Sequence, residues 1–510
     1  MMDEQNLRAI PAEKFRFVRS DERIHDEKLK TKPIGYFKDA WLRFRKDKSA
    51  VVAFVLIVML MLFSLIVPFF SHYDVTFRDG YYKTALPKLF HNTGFWDGTV
   101  RQQESQAGYD YLNAIGRETG RQVVTREYRS FTDNTGNTYH DIRVDSYAKV
   151  GFVFMNMDAR AYEALMDYQD ETGIQVFYPI PRTNATDYVM GNGGANFWYK
   201  LADERKGSSG LAARDESGDY VADYLTSDDP AAQGYRSLRI AGDDGSGEGW
   251  YVYALRNQSG YRVRLDYYEY FRYVHGVAPG FVFGTNVYGQ DIFSCLAAGG
   301  RLSFLLAIVV SAINFIIGAV YGAVEGYYGG AVDIVMERIS DVLGSVPFVV
   351  VATLFQMHMG QKIGVLPSLL FAFVLTGWIA EAASVRMQFY RFKGQEYVLA
   401  ARTLGASDRR LIFKHIFPNA LGTIITGSVL AIPGVIFSES MLSYLGIVNL
   451  ETSSLTSIGT MLANGQGYLS TYPHIILFPA LFISILEISF NLFGNGLRDA
   501  FNPSLRGVDD

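Results

Sequence analysis

Cysteine is almost missing. Cys295 is the only one in 510 residues, which removes a disulfide framework and any metal site built on paired thiolates. Also lacking are a glycine-rich phosphate loop ending in Gly-Lys-Ser or Gly-Lys-Thr, a His-Glu-x-x-His zinc helix and a Gly-x-Ser-x-Gly nucleophile turn. The chain is therefore no phosphate-loop nucleotide hydrolase, and it carries neither of these constellations for hydrolytic catalysis. A net charge of −5 with no extended basic face gives nucleic acid nothing to bind. Asp133, Asp141, Asp145, Asp228, Asp229, Asp243 and Asp244 do not fall in the spacing of a hard-cation loop, so the expectation is solvated turn carboxylates and no metal.

What the chain does have is apolar length. Runs near the ~20 residues that a bilayer requires fall at Ala50 to Phe70, Leu302 to Val324, Val342 to Met359, Leu366 to Ala383, Leu421 to Phe437 and Ile475 to Phe493, predicting six spans. The first is too long and too far from the start for a cleaved signal peptide, so it is expected to stay as an anchor. Residues 1–35 read as a charged cytoplasmic tail. Residues 36–49 read as an interfacial amphipathic helix with Phe37, Trp41 and Phe44 on one face and Arg43, Arg45, Lys46 and Lys48 around them. That basic cluster beside span 50–70 places the N-terminus inside.

Residues 71–280 are too long for a loop and large enough for a domain. They carry more acidic than basic side chains and no further spanning run. Gln122 to Phe131 with Thr138 to Val150, around Asp133 to Asn137, and Trp250 to Arg256 with Tyr261 to Tyr270, around Asn257 to Gly260, read as β-hairpins. Ala159 to Thr172 reads as a helix, and Gly191 to Ser217 and Gly242 to Glu248 as loops. The aromatic stretch Tyr267 to Tyr273 reads as strand packing residues rather than a ligand surface. The fold class is thus an all-α polytopic membrane protein of about six helices, with an α+β domain inserted between the first two spans.

Between the fourth and fifth spans lies Glu396-Tyr-Val-Leu-Ala-Ala-Arg-Thr-Leu-Gly-Ala-Ser-Asp-Arg-Arg-Leu-Ile-Phe-Lys-His-Ile-Phe-Pro418, polar where its neighbours are apolar. Ala400, Ala401 and Leu404 share a helical face, Gly405 permits a sharp turn, and Ser407 with Asp408 can cap a second helix. Arg402, Arg409, Arg410 and Lys414 mark this finger, 395–418, as cytoplasmic. It resembles the EAA loop of ABC-importer permeases: Ala400, Ala401, Gly405 and Pro418 sit in register, while Leu399, His415 and Phe417 replace the usual Glu, Ile and Leu. In that family the loop docks into an ATPase, so the resemblance implies coupling through Ala400, Ala401, Arg402, Gly405, Ala406, Ser407, Asp408, Arg409 and Pro418.

A second likeness begins at Gly284-Thr-Asn-Val-Tyr-Gly-Gln-Asp-Ile-Phe-Ser294. It is similar to the G-T-D-x-x-G-R-D-x-x-S signature of the C-type permease subunit of di- and oligopeptide importers, with Asn286 and Gln290 in place of its Asp and Arg. It continues through Gly326 to Gly330, Gly377-Trp378, Glu439 to Gly446 and Asn491 to Pro503. The resemblance implies a type I importer permease core over 281–503 and a cytoplasmic C-terminal tail at 504–510. It implies no cofactor in this chain, with ATP and Mg on partner ATPase subunits. The implied partners are a second homologous permease, one or two ATP-binding subunits, an extracytoplasmic solute-binding protein and the bilayer of a bacterial cell membrane. Short peptides are the implied cargo, and nickel, glutathione and oligosaccharides stay open. The insertion is left with three roles: docking platform, substrate lid or envelope spacer. A receptor with an outer sensing domain is the alternative of another class, opposed by the six spans and the finger.

Pathway and packing candidates are Gly318, Gly322 and Gly326, which recur every four residues and let a helix approach, and Glu439, Glu487, Asn314 and Asn491, polar groups in or near spans. Glu439 is divided between pathway lining and interhelical bonding. Glu325, Glu381 and Asp341 are placed at cytoplasmic span ends, solvated or snorkelling.

Overall fold

The computed structural model describes residues 36–90, 93–180, 195–196, 213–214, 220–221, 224, 236–238, 251–257, 260–452 and 455–501. The N-terminal tail, most of the 191–217 and 242–248 loops, Asp228, Asp229, Asp243, Asp244 and the C-terminal tail lie outside them. α1 (Tyr36–Phe44) leads into α2 (Lys48–Phe70), whose first amides are capped by Asp47 Oδ1, accepting from Ser49 N at 2.9 Å and Ala50 N at 3.2 Å. Ala40 and Phe44 of α1 are buried, while Trp41 is turned outward and stacks on Phe44 at 5.7 Å.

The insertion comes next. β1 (Thr99–Ser105), α3 (Gln106–Thr119), β2 (Val124–Thr132) and β3 (Thr138–Asp145) form a unit in which β3 is central and antiparallel to both neighbours. The β2–β3 turn is closed by Asp133 Oδ1, which accepts from Thr135 N and Asn137 N. β4 (Phe152–Asp158), α4 (Ala159–Thr172), β5 (Arg236–Leu238), β6 (Tyr251–Asn257) and β7 (Gly260–Asp266) follow, the strands ordered β4-β7-β6-β5. Both hairpins and the helix expected from the sequence are present. Tyr267 to Tyr273 is not strand: Asp266 caps α5 (Tyr267–His275), which ends on Gly276 at φ 70°. Burial pushes the Asp266 carboxyl up to about 6, with the Arg121 guanidinium beside it pulling the other way. Asp141 is not a solvated turn carboxylate either, since it lies buried on β3 against Arg101 and Arg129.

The insertion has its own core of Tyr82, Tyr147, Phe177, Phe271, Phe281, Val263 and Leu265, each burial of that size stabilising by about 1.5–3 kcal/mol. Beside it Arg264 is fully buried, its fork on Glu118 at 2.7 and 2.8 Å and its plane 3.8 Å from the Phe152 ring.

The chain leaves and re-enters the helical part through one seam. Asp79 N donates to Gly289 O, Thr285 N to Ala85 O and Lys88 N to Phe281 O, and Tyr267 OH donates to Asp79 Oδ2. At its centre Asn286 Nδ2 donates to Gln290 Oε1 at 2.8 Å, with both residues buried, and Gln290 Nε2 reaches Val75 O at 2.9 Å. The two departures from the Asp and Arg of the resembling signature are thus partners, a neutral pair where a charged one would stand. Asn286→Asp alone should lower the thermal midpoint by burying an acid against an amide, a cost of about 1–3 kcal/mol, and Gln290→Arg added to it should recover most of the loss. Equal midpoints for the single and double variants in a thermal scan contradict the pairing.

The helical part comprises α6 (Ile292–Tyr328), α7 (Gly330–Gly344), α8 (Phe348–Ile363), α9 (Val365–Phe392), α10 (Glu396–Thr403), α11 (Asp408–Tyr444), α12 (Ile458–Gly465) and α13 (His474–Phe501). Among the described residues five helices are long and apolar enough to span: α2, α6, α9, α11 and α13. The expected span Val342 to Met359 is broken. It straddles a 69° bend between α7 and α8, where Pro347, which lacks the N–H to continue the ladder, takes ψ 129° and α8 restarts behind it. The stretch between the expected spans Leu302 to Val324 and Val342 to Met359 is mostly α7. α6 runs from the insertion seam at Asp291 to the finger at Tyr327, so insertion and finger stand at opposite ends of the bundle.

Candidate functional site

The finger is built as a cantilever. Its inward face, Val398, Leu411, Ile412 and Ile416 with Ala401 and Ala406 partly covered, packs into a cluster with Ala319, Ala323 and Tyr327 of α6 and Val385 and Phe389 of α9. Gly405 takes φ 83°, the conformation that its lack of Cβ makes cheap. Ser407 occupies the N-cap position without a side-chain cap bond, and Asp408 is committed elsewhere: Tyr327 OH donates to its Oδ1 at 2.5 Å. Arg402 donates to the same Tyr327 hydroxyl at 3.3 Å, and Lys393 Nζ donates to Gly326 O at 2.9 Å. A π-helical turn, Leu411–Ile416, ends two residues before Pro418, which has no N–H for the regular ladder.

The outward face carries Ala400 and Leu404, one turn apart. Leu404 is 89% exposed, and Leu399 and Phe413 are also exposed. Ala400 is therefore exposed while Ala401, about 100° round the helix, turns toward the packed side, correcting the single face drawn from spacing. Arg409 and Pro418 are exposed as well. The finger thus combines an exposed apolar tip with a base packed against α6 and α9.

Gly318, Gly322 and Gly326 all meet α9 of the same chain. A methyl on Gly318 would lie 2.9 Å from Trp378 O, on Gly322 2.1 Å from Ala382 O, and on Gly326 2.8 Å from Arg386 O. Arg386 then spans the next layer, with Nε on Asp333 Oδ1 at 2.6 Å and 3.6 Å from Glu325 Oε1, and Nη1 on Glu337 Oε1 at 2.9 Å, while Tyr390 OH donates to Asp333 Oδ2 at 2.7 Å. Glu325 is buried in this cluster rather than solvated. Asp341 is solvated, paired with Arg338 at the surface.

Glu439 is 1% exposed. Its Oε2 accepts from Ser303 Oγ and its Oε1 from Ser443 Oγ, each at 3.1 Å, which ties α11 to α6. α12 closes over it: a methyl on Gly459 would stand 2.5 Å from Ser440 Cα. Glu487 is half-buried with Oε1 unbonded among the described residues, and the exposed Asn491 turns back to Glu487 O at 3.0 Å. Glu381, expected at a solvated end, instead lies inside the bundle and accepts from Ser428 Oγ at 2.8 Å. The sequence reading missed Tyr327, Arg386 and Ser428. Tyr327 sits in a stretch already noted for its likeness, and Arg386 is one of the few guanidiniums adjoining a span.

Residues 314–507 match the family described as the inner membrane component of binding-protein-dependent transport systems, and residues 35–87 match the N-terminal TM domain of oligopeptide transport permease C. The oligopeptide transport system permease protein OppC of Bacillus subtilis is 42% identical over 224 residues, 44% of this chain and 72% of that protein. The dipeptide transport system permease protein DppC of the same organism is 40% identical over 44% of this chain and 69% of its own length. Among solved structures, an inward-facing MetNI methionine ABC transporter chain matches at 16% identity over 41% of this chain and 96% of that one, with a TM-score of 0.33. With two family matches and 42% identity across most of a curated relative, the chain belongs to the permease family of binding-protein-dependent transport systems, in the oligopeptide permease C group, and is a membrane-embedded transport component rather than an enzyme.

Proposed function

We propose that this chain forms half of the transmembrane pathway of an ATP-driven importer for short peptides, paired with a related permease and moved by cytoplasmic ATPase subunits through the finger around Gly405. The observation that carries the reading is the cantilever: Leu404 presents an exposed apolar tip while Tyr327, Asp408, Arg402 and Lys393 fasten its base to α6. Force applied at the tip reaches α6, and through the glycine strip it reaches α9. The short-peptide cargo is supported by relatives named for oligopeptide and dipeptide transport. With the finger cytoplasmic, the insertion at the far end of α6 faces outward, where a solute-binding protein delivers cargo.

A tagged chain purified in mild detergent should bring down the ATPase subunits and the second permease. Leu404→Asp should lose the ATPases while keeping the permease partner, because a central apolar anchor is worth about 2 kcal/mol or more, roughly thirtyfold in affinity. Unchanged ATPase recovery with this variant removes the finger from the docking surface.

A further inference from the structure

Helices α6, α8, α9 and α11 line a half-open cavity of about 290 Å³ with two unlike walls. One wall is aromatic, with the Phe348 and Phe373 rings 4.7 Å apart. The other is a set of acceptors. Glu381 brings a carboxylate, one oxygen of which is held by Ser428 at 2.8 Å. Asn314 and Ser311 line the same space at 8% and 7% exposure, and among the described residues no group bonds to Asn314 Oδ1 or Ser311 Oγ. The Asn314 side chain is pressed against α9, since a methyl on Gly377 would meet Nδ2 at 2.3 Å.

Buried polar atoms without partners each cost about 1–3 kcal/mol, and polar groups at membrane depth normally face protein or a cavity that carries solute. A carboxylate beside an amide carbonyl and hydroxyls, with no basic side chain among the lining residues, calls for a ligand that supplies both a positive charge and several N–H donors. The volume lies at the small end of ligand pockets, which run about 300–1,000 Å³, so it suits one residue rather than a whole peptide. The aromatic wall suits that residue's apolar part. Phe348 opens α8 immediately behind the Pro347 bend, so a change in that bend moves one wall of the cavity.

Resting on the importer reading above, we propose that this cavity is a binding site within the pathway for the primary ammonium group of the moving peptide, held by Glu381 and Asn314 with the adjoining side chain against Phe348 and Phe373. The ammonium belongs either to the peptide's amino terminus or to a lysine side chain.

The test is binding to the detergent-solubilised full complex without added solute-binding protein, using labelled trialanine as the probe and N-acetyl-trialanine and N-acetyl-Ala-Ala-Lys as competitors. Native complex should bind trialanine, and Glu381→Gln should weaken it at least about tenfold, the loss expected for a charge-assisted hydrogen bond. Gly434→Leu keeps the carboxylate but projects into the cavity from a position where an added Cβ meets nothing within 4 Å, and it should weaken binding as much. Competition by the lysine peptide supports the ammonium chemistry and assigns it to either source; its failure to compete assigns it to the amino terminus. Equal competition by N-acetyl-trialanine, or unchanged binding by either variant, overturns the site. ATP-driven uptake by the native complex together with such unchanged binding overturns the site alone, whereas absence of that uptake overturns the importer reading on which it rests.

Discussion

Gly322→Leu should abolish accumulation of the folded chain. The glycine stands where α6 and α9 touch backbone to backbone, with an added methyl only 2.1 Å from Ala382 O and 2.9 Å from Val385 Cβ. Neither neighbour is the far end of a flexible side chain, so the helices themselves must separate. Overpacking of ordinary side chains costs about 1–3 kcal/mol, and here rigid backbone has to give, so the expected cost is at the upper end or beyond. In a bilayer such close approach is itself a main source of helix association, because lipid is as apolar as the side chains it would displace. Separation at Gly322 also removes contacts at Gly318 and Gly326 on the same strip. Gly434→Ala is the control. It lies on α11 with open space around its Cβ direction and should accumulate like the native chain. The check is the monodisperse yield from detergent; normal yield and uptake with Gly322→Leu contradict the packing described.

How much of this could be read in the sequence depends on which kind of signal each element carries. α4 was legible to the residue because Asp158 caps its start and Gly173 takes φ 68° at its end, both local events. α5 reads as strand in the sequence although the same signals are present, Asp266 before it, Glu269 three residues on, and Gly276 after it; the aromatic density of Tyr267 to Tyr273 masks them. The break between α7 and α8 was likewise encoded, by Pro347, but hydropathy averages across a bend. The finger's position and its turn at Gly405 were legible, whereas the outward direction of Ala400 and Leu404 was not. Adjacent residues on a short helix diverge by about 100°, and only the packing of Val398 and Leu411 against α6 decides which side is inside. Glu381 and Glu325 read from the sequence as solvated ends for a similar reason: the depth of a residue in a bundle is a tertiary fact. Their partners, Ser428 and Arg386, lie 47 and 61 positions away, beyond any periodicity.

The second large effect is expected at Arg386. One guanidinium serves Asp333, Glu337 and Glu325, carboxylates on α7 and α6, and Asp333 and Glu325 are buried. Arg386→Met keeps much of the stem but strands those acids, and removing one partner of a buried pair costs about 3–5 kcal/mol. The Arg386 side chain itself is 23% exposed, so water recovers part of this and about 2–3 kcal/mol is the expected loss. Arg386→Lys should recover only part of it, because a point charge cannot meet two carboxylates with the parallel bonds that the fork makes at 2.6 and 2.8 Å to Asp333. Adding Glu325→Gln to Arg386→Met should raise stability again by removing the acid that is most deeply buried. Thermal midpoints of the solubilised chain measure all three. A rise on Arg386→Met, or no rescue by Glu325→Gln, contradicts a latch that joins α7 and α6 to α9.

These two sites share one mechanical consequence. The glycine strip and the Arg386 cluster make α6, α7 and α9 move together at the end where the finger is fastened, while Glu439 ties α6 to α11 farther along. A displacement of the finger is thereby delivered to several spans rather than absorbed at its base. The measurement that tests this most directly is ATP-dependent uptake of a labelled tripeptide into vesicles carrying the complete complex, comparing the native chain with Leu404→Asp at equal amounts of assembled permease pair. The account predicts ATP-driven accumulation with the native chain and its loss, by tenfold or more, with the variant. Accumulation at the native rate with Leu404→Asp, or none with the native chain in an intact complex, would contradict it.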